Sequence, residues 1–403
     1  MKGINMRGIR TGKQLALGVT SLACATVLLA ACGSSSSSGT SSTSSSNAPI
    51  NIGVAVGLTG YLASDDVPFS EGVKLAAAAI NAKGGIDGHK VNLTVQNMDS
   101  AASTGVTVVT QMIDQSHIDV LIGGSVSAAT AAYAPILARA QVPMVAASVL
   151  PTDDQWQFST LQPTSETNVD DLGFVKSKLH LTKVAVIYSE TPYGEGAAAR
   201  MTAEAKSIGL KVVSSQGVLT GATDMTPQLQ QVQSSGAQAI VDVLTGPVHI
   251  VEAKDAANLG MHIPIVMGQD TRSIFLQSTQ AYRNVYWTAL GAQVYPHNSN
   301  PEVKAANAAF LPIYKKTYGS APGEANAARG WDSMQIIAKA VSASKAITGT
   351  KLDTALEHVS YAGTETVYNY TPADHTGQLS VANPLGIGHF VGNKSEIVYT
   401  ASS

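Results

Sequence analysis

The stretch INIGVAVG at residues 50–57, followed by FSEGVKLAAAAINAKGG at residues 69–85, decides the fold class of this chain. The first segment is an apolar run with β-branched residues, which predicts a buried strand. In the second segment, apolar residues recur at helical spacing until Gly84-Gly85 end the helix. A strand followed by such a helix is the beginning of a βαβ unit.

The same alternation continues along the chain in two series. The first has predicted strands at 91–96, 119–123 and 143–147 and predicted helices at 104–115 and 127–140. The second has predicted strands at 184–189, 211–218, 239–243 and 264–267 and predicted helices at 194–208, 225–235 and 249–259. Two runs of βαβ units predict an α/β protein with two doubly wound parallel-sheet lobes. Ligands bind at the carboxyl ends of such strands, so the functional loops should follow Gly57, Gly123, Ala147, Ser189, Val243 and Met267.

The N-terminal segment has the pattern of a bacterial lipoprotein export signal at residues 1–31. A cationic start precedes the apolar run 15–30, and Leu29-Ala30-Ala31-Cys32 offers small residues before a cysteine. The run is shorter than the roughly 20 residues that a membrane span needs. Cleavage would leave Cys32 as the lipidated first residue, followed by a serine-rich tether over residues 32–47. A chance Ala-Ala-Cys after an ordinary signal peptide is the alternative.

Composition argues against a disulfide-stabilised protein and against a nucleic-acid-binding protein. The two cysteines are Cys24, inside the predicted signal, and Cys32, so no internal disulfide is expected in the mature chain. Removing the four cationic residues of the signal lowers the formal net charge from −3 to −7. Nucleic acid is therefore not an expected partner.

Enzyme motifs receive little support. Residues 194–199 satisfy the G-x-G-x-x-A spacing of a dinucleotide site, but Pro192 separates them from the preceding strand, whereas a phosphate-binding turn leaves its strand at once. No nucleophile elbow, zincin or P-loop motif occurs, so no catalytic residue, cofactor or metal is predicted. The histidines are scattered without ligand spacing. His249 could contact a ligand, although a surface histidine at a helix start fits the same position.

Four motifs, in order, resemble one family. They are GLTG at 57–60, AINAKGGIDG at 79–88, YGEG at 193–196 and DMTP at 224–227. Together they resemble the type I periplasmic binding proteins of the branched-chain amino acid transporter class. The resemblance extends from Ile50 to about Gly392. It implies two lobes, between which the chain passes three times. The first lobe would be about 48–166 with 292–373, and the second about 167–291 with 374–403.

The resemblance also implies where the carboxylate of an amino acid would bind. Ser127 matches the family's carboxylate-binding serine at a helix start, where N–H groups and the helix dipole attract anions. Alternatively, Ser127 only caps its own helix. Ala147, Ser148 and Val149 match the backbone groups after the fourth strand. The register there is uncertain by one residue, so Ser148 could supply the hydroxyl that the family has at Val149.

Three further positions match the second lobe of the family's site. Tyr193 matches an aromatic wall, and Thr245 stands where the family has a second tyrosine. Asp270 matches the acidic partner of the ligand ammonium, since a carboxylate can accept its charged donors. A solvated loop aspartate is the alternative for Asp270.

Departures from the family's pattern leave the identity of the ligand open. Asp65, followed by Asp66, stands where leucine-type proteins have an aromatic contact, although both could be turn residues that face water. Trp331-Asp332 matches a pair at a helix start for which a structural role is expected.

The resemblance implies a monomeric, extracytoplasmic solute-binding protein of an ABC importer, anchored in the membrane through Cys32. Its partners would be a small ligand, most simply an amino acid of the branched-chain type, and the permease and ATPase subunits. The alternatives are a sensor lipoprotein that signals to a membrane receptor, an envelope hydrolase, and a binder of amides, urea or aromatic acids.

Overall fold

The computed structural model describes residues 47–150, 155–161, 164–269, 272, 282–295, 297–298, 300–322, 325–377, 385–391 and 394–400. The predicted signal, Cys32, nearly all of the tether and Asp270 lie outside these residues. Among the described residues, no helix has the length and apolar character that crossing a membrane requires.

The first sheet is parallel throughout. Its strands are β1 (Ile50–Val56), β2 (Val91–Asn97), β3 (Val120–Gly123), β4 (Met144–Ala146) and β5 (Gln157–Ser159), in the spatial order β2-β1-β3-β4-β5. Helices α1 (Ala63–Ala82), α2 (Ala102–Ser116) and α3 (Ser127–Ala140) connect the first four strands. The predicted first series is confirmed, and β5 adds a strand that the sequence pattern did not indicate.

The second sheet has seven strands. Five of them are parallel, namely β6 (Lys183–Ser189), β7 (Lys211–Val218), β8 (Ala239–Val243), β9 (Ile265–Met267) and β10 (Val285–Ala289). Its helices are α4 (Thr164–Ser177), α5 (Pro192–Ser207), α6 (Thr226–Ser235) and α7 (Val248–Asn258). The antiparallel strands β13 (Gly386–Val391) and β14 (Lys394–Thr400) complete the order β14-β13-β10-β9-β8-β6-β7.

The remaining elements follow β10. They are α8 (Gly291–Val294), α9 (Pro301–Tyr318), α10 (Asn326–Ser344), α11 (Gly349–Leu356) and the hairpin of β11 (Ser360–Ala362) and β12 (Val367–Asn369). Phe310, Trp331 and Met334 belong to the same core as β1 and α1. The five-stranded sheet with α1–α3 and α9–α11 is called the first lobe here, and the seven-stranded sheet with α4–α7 the second lobe.

The described elements alternate between the two sheets along the chain. The chain leaves the first sheet after Ser159, returns to the first lobe after Ala289, and goes back to the second sheet after Tyr370. The exact lobe boundaries given by the sequence remain predictions.

Helices α1 and α10 pack against each other at the distance that only glycine permits. A Cβ atom on Gly72 would lie 1.8 Å from the Ala327 carbonyl oxygen, and one on Gly330 would lie 2.1 Å from the Phe69 carbonyl oxygen. Because the two backbones touch, the beginning of α10 lies beside the beginning of α1. This contact brings two remote parts of the sequence to one wall of the cleft.

The beginning of α1 corrects one expectation. The helix starts at Ala63, six residues before the predicted start, so Asp65 and Asp66 lie in its first turn. Acidic residues are favourable there because the helix dipole is positive at that end. Asp65 is 7% exposed and Asp66 is 0% exposed, so the alternative of turn residues facing water is wrong.

Candidate functional site

A cavity of about 70 Å³ lies between the two lobes, at the carboxyl ends of strands from both sheets. Leu161, between β5 and α4, lines it together with residues of the first lobe. These are Tyr61, Leu62, Asp65, Ser125, Ser127, Ala128, Ala147, Asn326 and Arg329. From the second lobe the cavity is lined by Thr191, Tyr193, Leu244, Thr245, Gly246, His249 and Gln269. Its position agrees with the rule that ligands of open α/β sheets bind beyond the carboxyl ends of the strands.

Ser127 lies at the start of α3, on the cavity wall. Its hydroxyl oxygen accepts the Val149 N–H at 3.1 Å, and no side chain caps this helix. The alternative that Ser127 caps its own helix is therefore wrong. Accepting one N–H still allows the hydroxyl to donate its own proton. Exposed Ala128 lines the cavity in the same first turn, where backbone N–H groups point away from the helix.

The segment after β4 is tied to neighbouring elements. Ala147 lines the cavity, but its N–H donates to the Gly123 carbonyl at 3.0 Å. The Ser148 hydroxyl is fully buried, 2.8 Å from the Thr130 hydroxyl, and Val149 uses its N–H on Ser127. Of the three residues predicted here, only Ala147 is on the cavity wall. The Ser148 hydroxyl is directed into α3 instead.

Two predicted residues of the second lobe lie on the opposite wall. The Tyr193 hydroxyl accepts a hydrogen bond from the Gln269 side-chain amide at 3.2 Å. The Thr245 backbone N–H and hydroxyl both donate to the Ser189 hydroxyl, at 3.0 and 3.1 Å. These bonds fix both side chains against strand ends. Asp270, the residue after Gln269, lies outside the described residues.

His249 is 1% exposed and lines the cavity, so the expectation of a surface histidine is wrong. Its Nδ1 lies 3.2 Å from an oxygen of Asp242, whose other oxygen accepts the Gly268 N–H at 2.9 Å. Burial opposes ionisation of Asp242, but the charge and hydrogen bond of His249, together with Glu252 and the Gly268 N–H, outweigh it and lower the pKa of this carboxyl. An anion behind the ring orients the imidazole toward the cavity.

Glu252 completes this cluster. Burial and the Asp242 carboxylate raise the pKa of Glu252 well above its usual value. Ligand atoms of Asp242, His249 and Glu252 lie within 4.8 Å of one another, so their residue types could hold a metal ion. Both Asp242 oxygens already accept hydrogen bonds.

Asp66 lies behind the first-lobe wall and connects two functional loops. It accepts the Gly57 N–H at 2.6 Å and the Ser125 N–H at 2.7 Å. Burial raises the pKa of Asp66, and the two N–H groups offset only part of that rise. Asp66 thus holds the loops after β1 and β3 together.

Arg329 and Asn326 are cavity residues that the sequence did not indicate. Both are 1% exposed, and both lie in the first turns of α10. The Asn326 amide donates to Asp65 at 3.1 Å and accepts from the Arg329 guanidinium at 2.5 Å. Their i, i+3 spacing places them on one helical face, but nothing else in the sequence marks them.

The lobes approach each other closely at Gly246, on the cavity wall. Gly246 has a φ of +70°, and a Cβ atom there would lie 2.3 Å from the Tyr61 carbonyl oxygen. Glycine is therefore required for both conformation and space. Asp332, matched to a structural position, accepts N–H groups of Thr364 and Glu365 at 2.8–3.1 Å, away from the cavity.

Known proteins resemble this chain over different lengths. An amino acid binding protein of Pseudomonas aeruginosa is 27% identical over 48% of this chain, which spans only 53% of that relative. A Leu/Ile/Val-binding protein homologue of Brucella abortus is 23% identical over 80% of this chain and 83% of its own length. Thus the chain spans about half the length of some curated relatives and most of others.

A solved structure shares the fold. The branched-chain amino acid transporter substrate-binding protein of Streptococcus pneumoniae, in complex with isoleucine, superposes with a TM-score of 0.72 at 23% identity, over 87% of this chain and 99% of that chain. Residues 49–382 also match the sequence profile of a family described as periplasmic binding protein, whose members bind solutes and are not enzymes. The chain therefore belongs to the periplasmic binding protein family.

Proposed function

We propose that this chain is the lipid-anchored substrate-binding protein of an ABC importer, capturing an amino acid between its two lobes and delivering it to a permease. The observation that carries the proposal is the cavity between the strand ends of both lobes, with Ser127 at the start of α3 on its wall. The lobes would be residues 48–166 with 292–373, and residues 167–291 with 374–403.

The ligand carboxylate would bind at the start of α3. The Ser127 hydroxyl can donate to it, and first-turn N–H groups together with the positive end of the dipole favour an anion. Ala128 leaves the backbone accessible because its side chain is only a methyl group. Asp270, adjacent to the cavity residue Gln269, would pair with the ligand ammonium.

Capture would involve closure of the lobes on the ligand. The contact between Gly246 and the Tyr61 carbonyl lies where the cavity walls of the two lobes meet. A ligand that binds groups on both walls stabilises the closed arrangement relative to the open one. The closed form would then be the state that a permease recognises.

The anchor would be an acylated Cys32. Detergent-phase partitioning tests it, because a Cys32→Ser protein should remain an uncleaved, unacylated precursor. If the substituted protein matured and partitioned like the parent, the chain would have no lipid anchor at this residue.

The binding function is tested by thermal-shift and calorimetric titration with amino acids, amides, urea and aromatic acids. We expect an amino acid to bind and mass spectrometry to recover it unchanged. Binding of only amides, urea or aromatic acids, or conversion of the ligand, would contradict the proposal.

Import is tested by deleting the gene and measuring uptake of the radiolabelled ligand. Loss of uptake supports the importer. Normal uptake with a lost transcriptional response to the ligand would favour the sensor alternative.

A further inference from the structure

The second lobe contains a buried cluster of Asp242, His249 and Glu252, of which the proposed capture of a ligand makes no use. The three residues are at most 1% exposed, and one ligand atom of each lies within 4.8 Å of the other two. Ionisable groups removed from water are costly unless they are paired or coordinate a metal ion. The arrangement therefore calls for a partner inside the cluster.

Local structure directs the three side chains to one point. Asp242 lies in β8, and His249 and Glu252 lie on α7, the helix that follows this strand. The i, i+3 spacing of His249 and Glu252 places them on one face of the helix. In the sequence only this H-x-x-E spacing is visible, because the third acid comes from the strand.

The Asp242 carboxylate has one oxygen fixed by the backbone and the other directed at the cluster. Oδ1 accepts the Gly268 N–H at 2.9 Å, whereas Oδ2 lies 3.2 Å from Nδ1 of His249. A hydrogen bond to one oxygen orients a carboxylate that ligates a metal ion through the other. Metal–ligand bonds of about 2.1 Å hold neighbouring ligand atoms roughly 3–3.5 Å apart, so the separation of Oδ2 and Nδ1 suits a shared ion.

Glu252 supplies the second observation that points to an ion. Both of its carboxyl oxygens are buried, and neither receives a hydrogen bond from a donor group in the described part of the chain. Its charged neighbour is Asp242, which is a second acceptor. Two buried carboxyls can face each other only with a proton or a cation between them. In the metal-free protein the proton of Glu252 can bridge to Asp242.

We propose that Asp242, His249 and Glu252 form a binding site for Zn²⁺ or a similar divalent transition metal ion, directly behind the wall of the ligand cavity. One imidazole nitrogen and two carboxylate oxygens are ligands that Zn²⁺ accepts, and a water molecule completes its tetrahedral set. The imidazole argues against Mg²⁺ and Ca²⁺, which take oxygen ligands. Binding replaces the proton on Nδ1 and the proton between the two carboxyls, and both protons are released to water.

The ion acts on the ligand cavity through His249. Because Nδ1 is directed at Asp242, the remainder of the ring, with Nε2, forms the cavity wall. With a metal ion on Nδ1, Nε2 carries the ring proton and can only donate a hydrogen bond. The metal site is independent of the proposed function, so failure of one leaves the other standing.

Titration with Zn²⁺ tests the site on the purified chain, without a histidine tag and after dialysis against EDTA. We expect calorimetry and metal analysis to give one Zn²⁺ per chain. Zn²⁺ should also raise the thermal unfolding temperature, because it binds the folded state, whereas excess Mg²⁺ should not. Absence of stoichiometric Zn²⁺ binding would overturn the proposal.

Substitutions locate the ion. Glu252→Gln keeps the size of the side chain, and its amide can donate to Asp242 as the protonated acid does, so this variant should fold. Glu252→Gln and His249→Gln should each weaken Zn²⁺ binding by about tenfold or more. The matched control is His262→Gln, at an exposed position just beyond α7, which should bind Zn²⁺ like the parent. Zn²⁺ affinity that is unchanged in the folded Glu252→Gln and His249→Gln proteins, or equally weakened in the control, would contradict the assignment.

Discussion

Asp66 in the first lobe and Asp242 in the second lie behind facing walls of the cavity, yet burial affects them differently. Both are fully buried, and both accept N–H groups from loops after strands. The pKa of Asp66 is raised by burial, whereas the charge and hydrogen bond of His249, together with Glu252 and the Gly268 N–H, outweigh burial and lower the pKa of Asp242. The difference teaches that hydrogen bonds from the loops do not fully offset desolvation at Asp66, whereas the addition of an adjacent imidazole is accompanied by a lowered pKa at Asp242.

The largest expected effect follows from removing Asp66. Asp66→Ala leaves the buried Gly57 N–H and the partly buried Ser125 N–H without their acceptor, so the free energy of unfolding should fall by about 2–5 kcal/mol. Urea denaturation measures the change. Asp114→Ala, at an exposed position of α2, is the control and should change stability by less than about 0.5 kcal/mol. Equal effects would mean that Asp66 does not hold the two loops.

A smaller loss should follow from neutralising Asp242. Asp242→Asn removes the anion that His249 faces, and the free energy of unfolding should fall by about 1.5–3 kcal/mol. A double-mutant cycle with His249→Gln isolates the contribution of the pair. If the two losses were simply additive, the imidazole would not be the partner that lowers the pKa of Asp242.

The two carboxyls should also have opposite effects on the pH dependence of stability. A group with a raised pKa, such as Asp66, contributes stability that is present below pH of about 4 and is lost as the pH rises through its folded-state pKa. Asp242, with a lowered pKa, contributes stability that is present above its unfolded-state pKa and is lost as the pH falls through the folded-state value.

Denaturation of the parent, Asp66→Asn and Asp242→Asn proteins at a series of pH values measures both effects. The parent-minus-variant differences should slope in opposite directions, by at most about 1.4 kcal/mol per pH unit for each group. Differences that slope the same way would remove the contrast between the two residues.

The smallest effect concerns Gly246, in the loop that follows the strand of Asp242. It lies against Tyr61, in the loop that precedes the helix of Asp66. Gly246→Ala should destabilise the fold by about 1 kcal/mol, because φ is +70°, and should also weaken ligand binding, because the methyl group would press on the Tyr61 carbonyl. Gly260→Ala is the matched control, since φ is +65° but no atom lies within 4 Å of its Cβ position. Calorimetry should find weaker binding in the first variant alone. Equal affinities would show that the lobes do not close at Gly246.

Much of the fold is predictable from the sequence because each long strand and helix has its own hydrophobic period. The parallel strands from β1 to β4 and from β6 to β9 follow this rule. Strand β5 has only one apolar residue, Phe158, between two polar ones, so it lacks the apolar run that marks the equally short β4 and β9. Strands β13 and β14 are defined by pairing with each other and with β10 rather than by a local pattern.

The site is predictable only where a residue lies within four positions of a strand end. Ser127, Ala147, Tyr193 and Thr245 can be located in that way, and all four line the cavity. The burial of His249 depends on Asp242, which forms part of β8 and has no distinguishing pattern of its own. Asn326 forms a hydrogen bond with Asp65, which is 261 residues away in the sequence. A contact between residues so far apart leaves no periodic pattern in the local sequence.

The glycine contact between α1 and α10 has a consequence for the order of assembly. Helix α10 begins at Asn326, after the chain has made all five parallel strands of the other lobe. The wall formed by Asp65, Asn326 and Arg329 therefore cannot be completed until about four-fifths of the polypeptide has been synthesised. Contacts so distant in sequence form slowly. A nascent chain of residues 1–320 would expose the α1 surface that α10 later covers, and a secreted protein would benefit from chaperones at that stage.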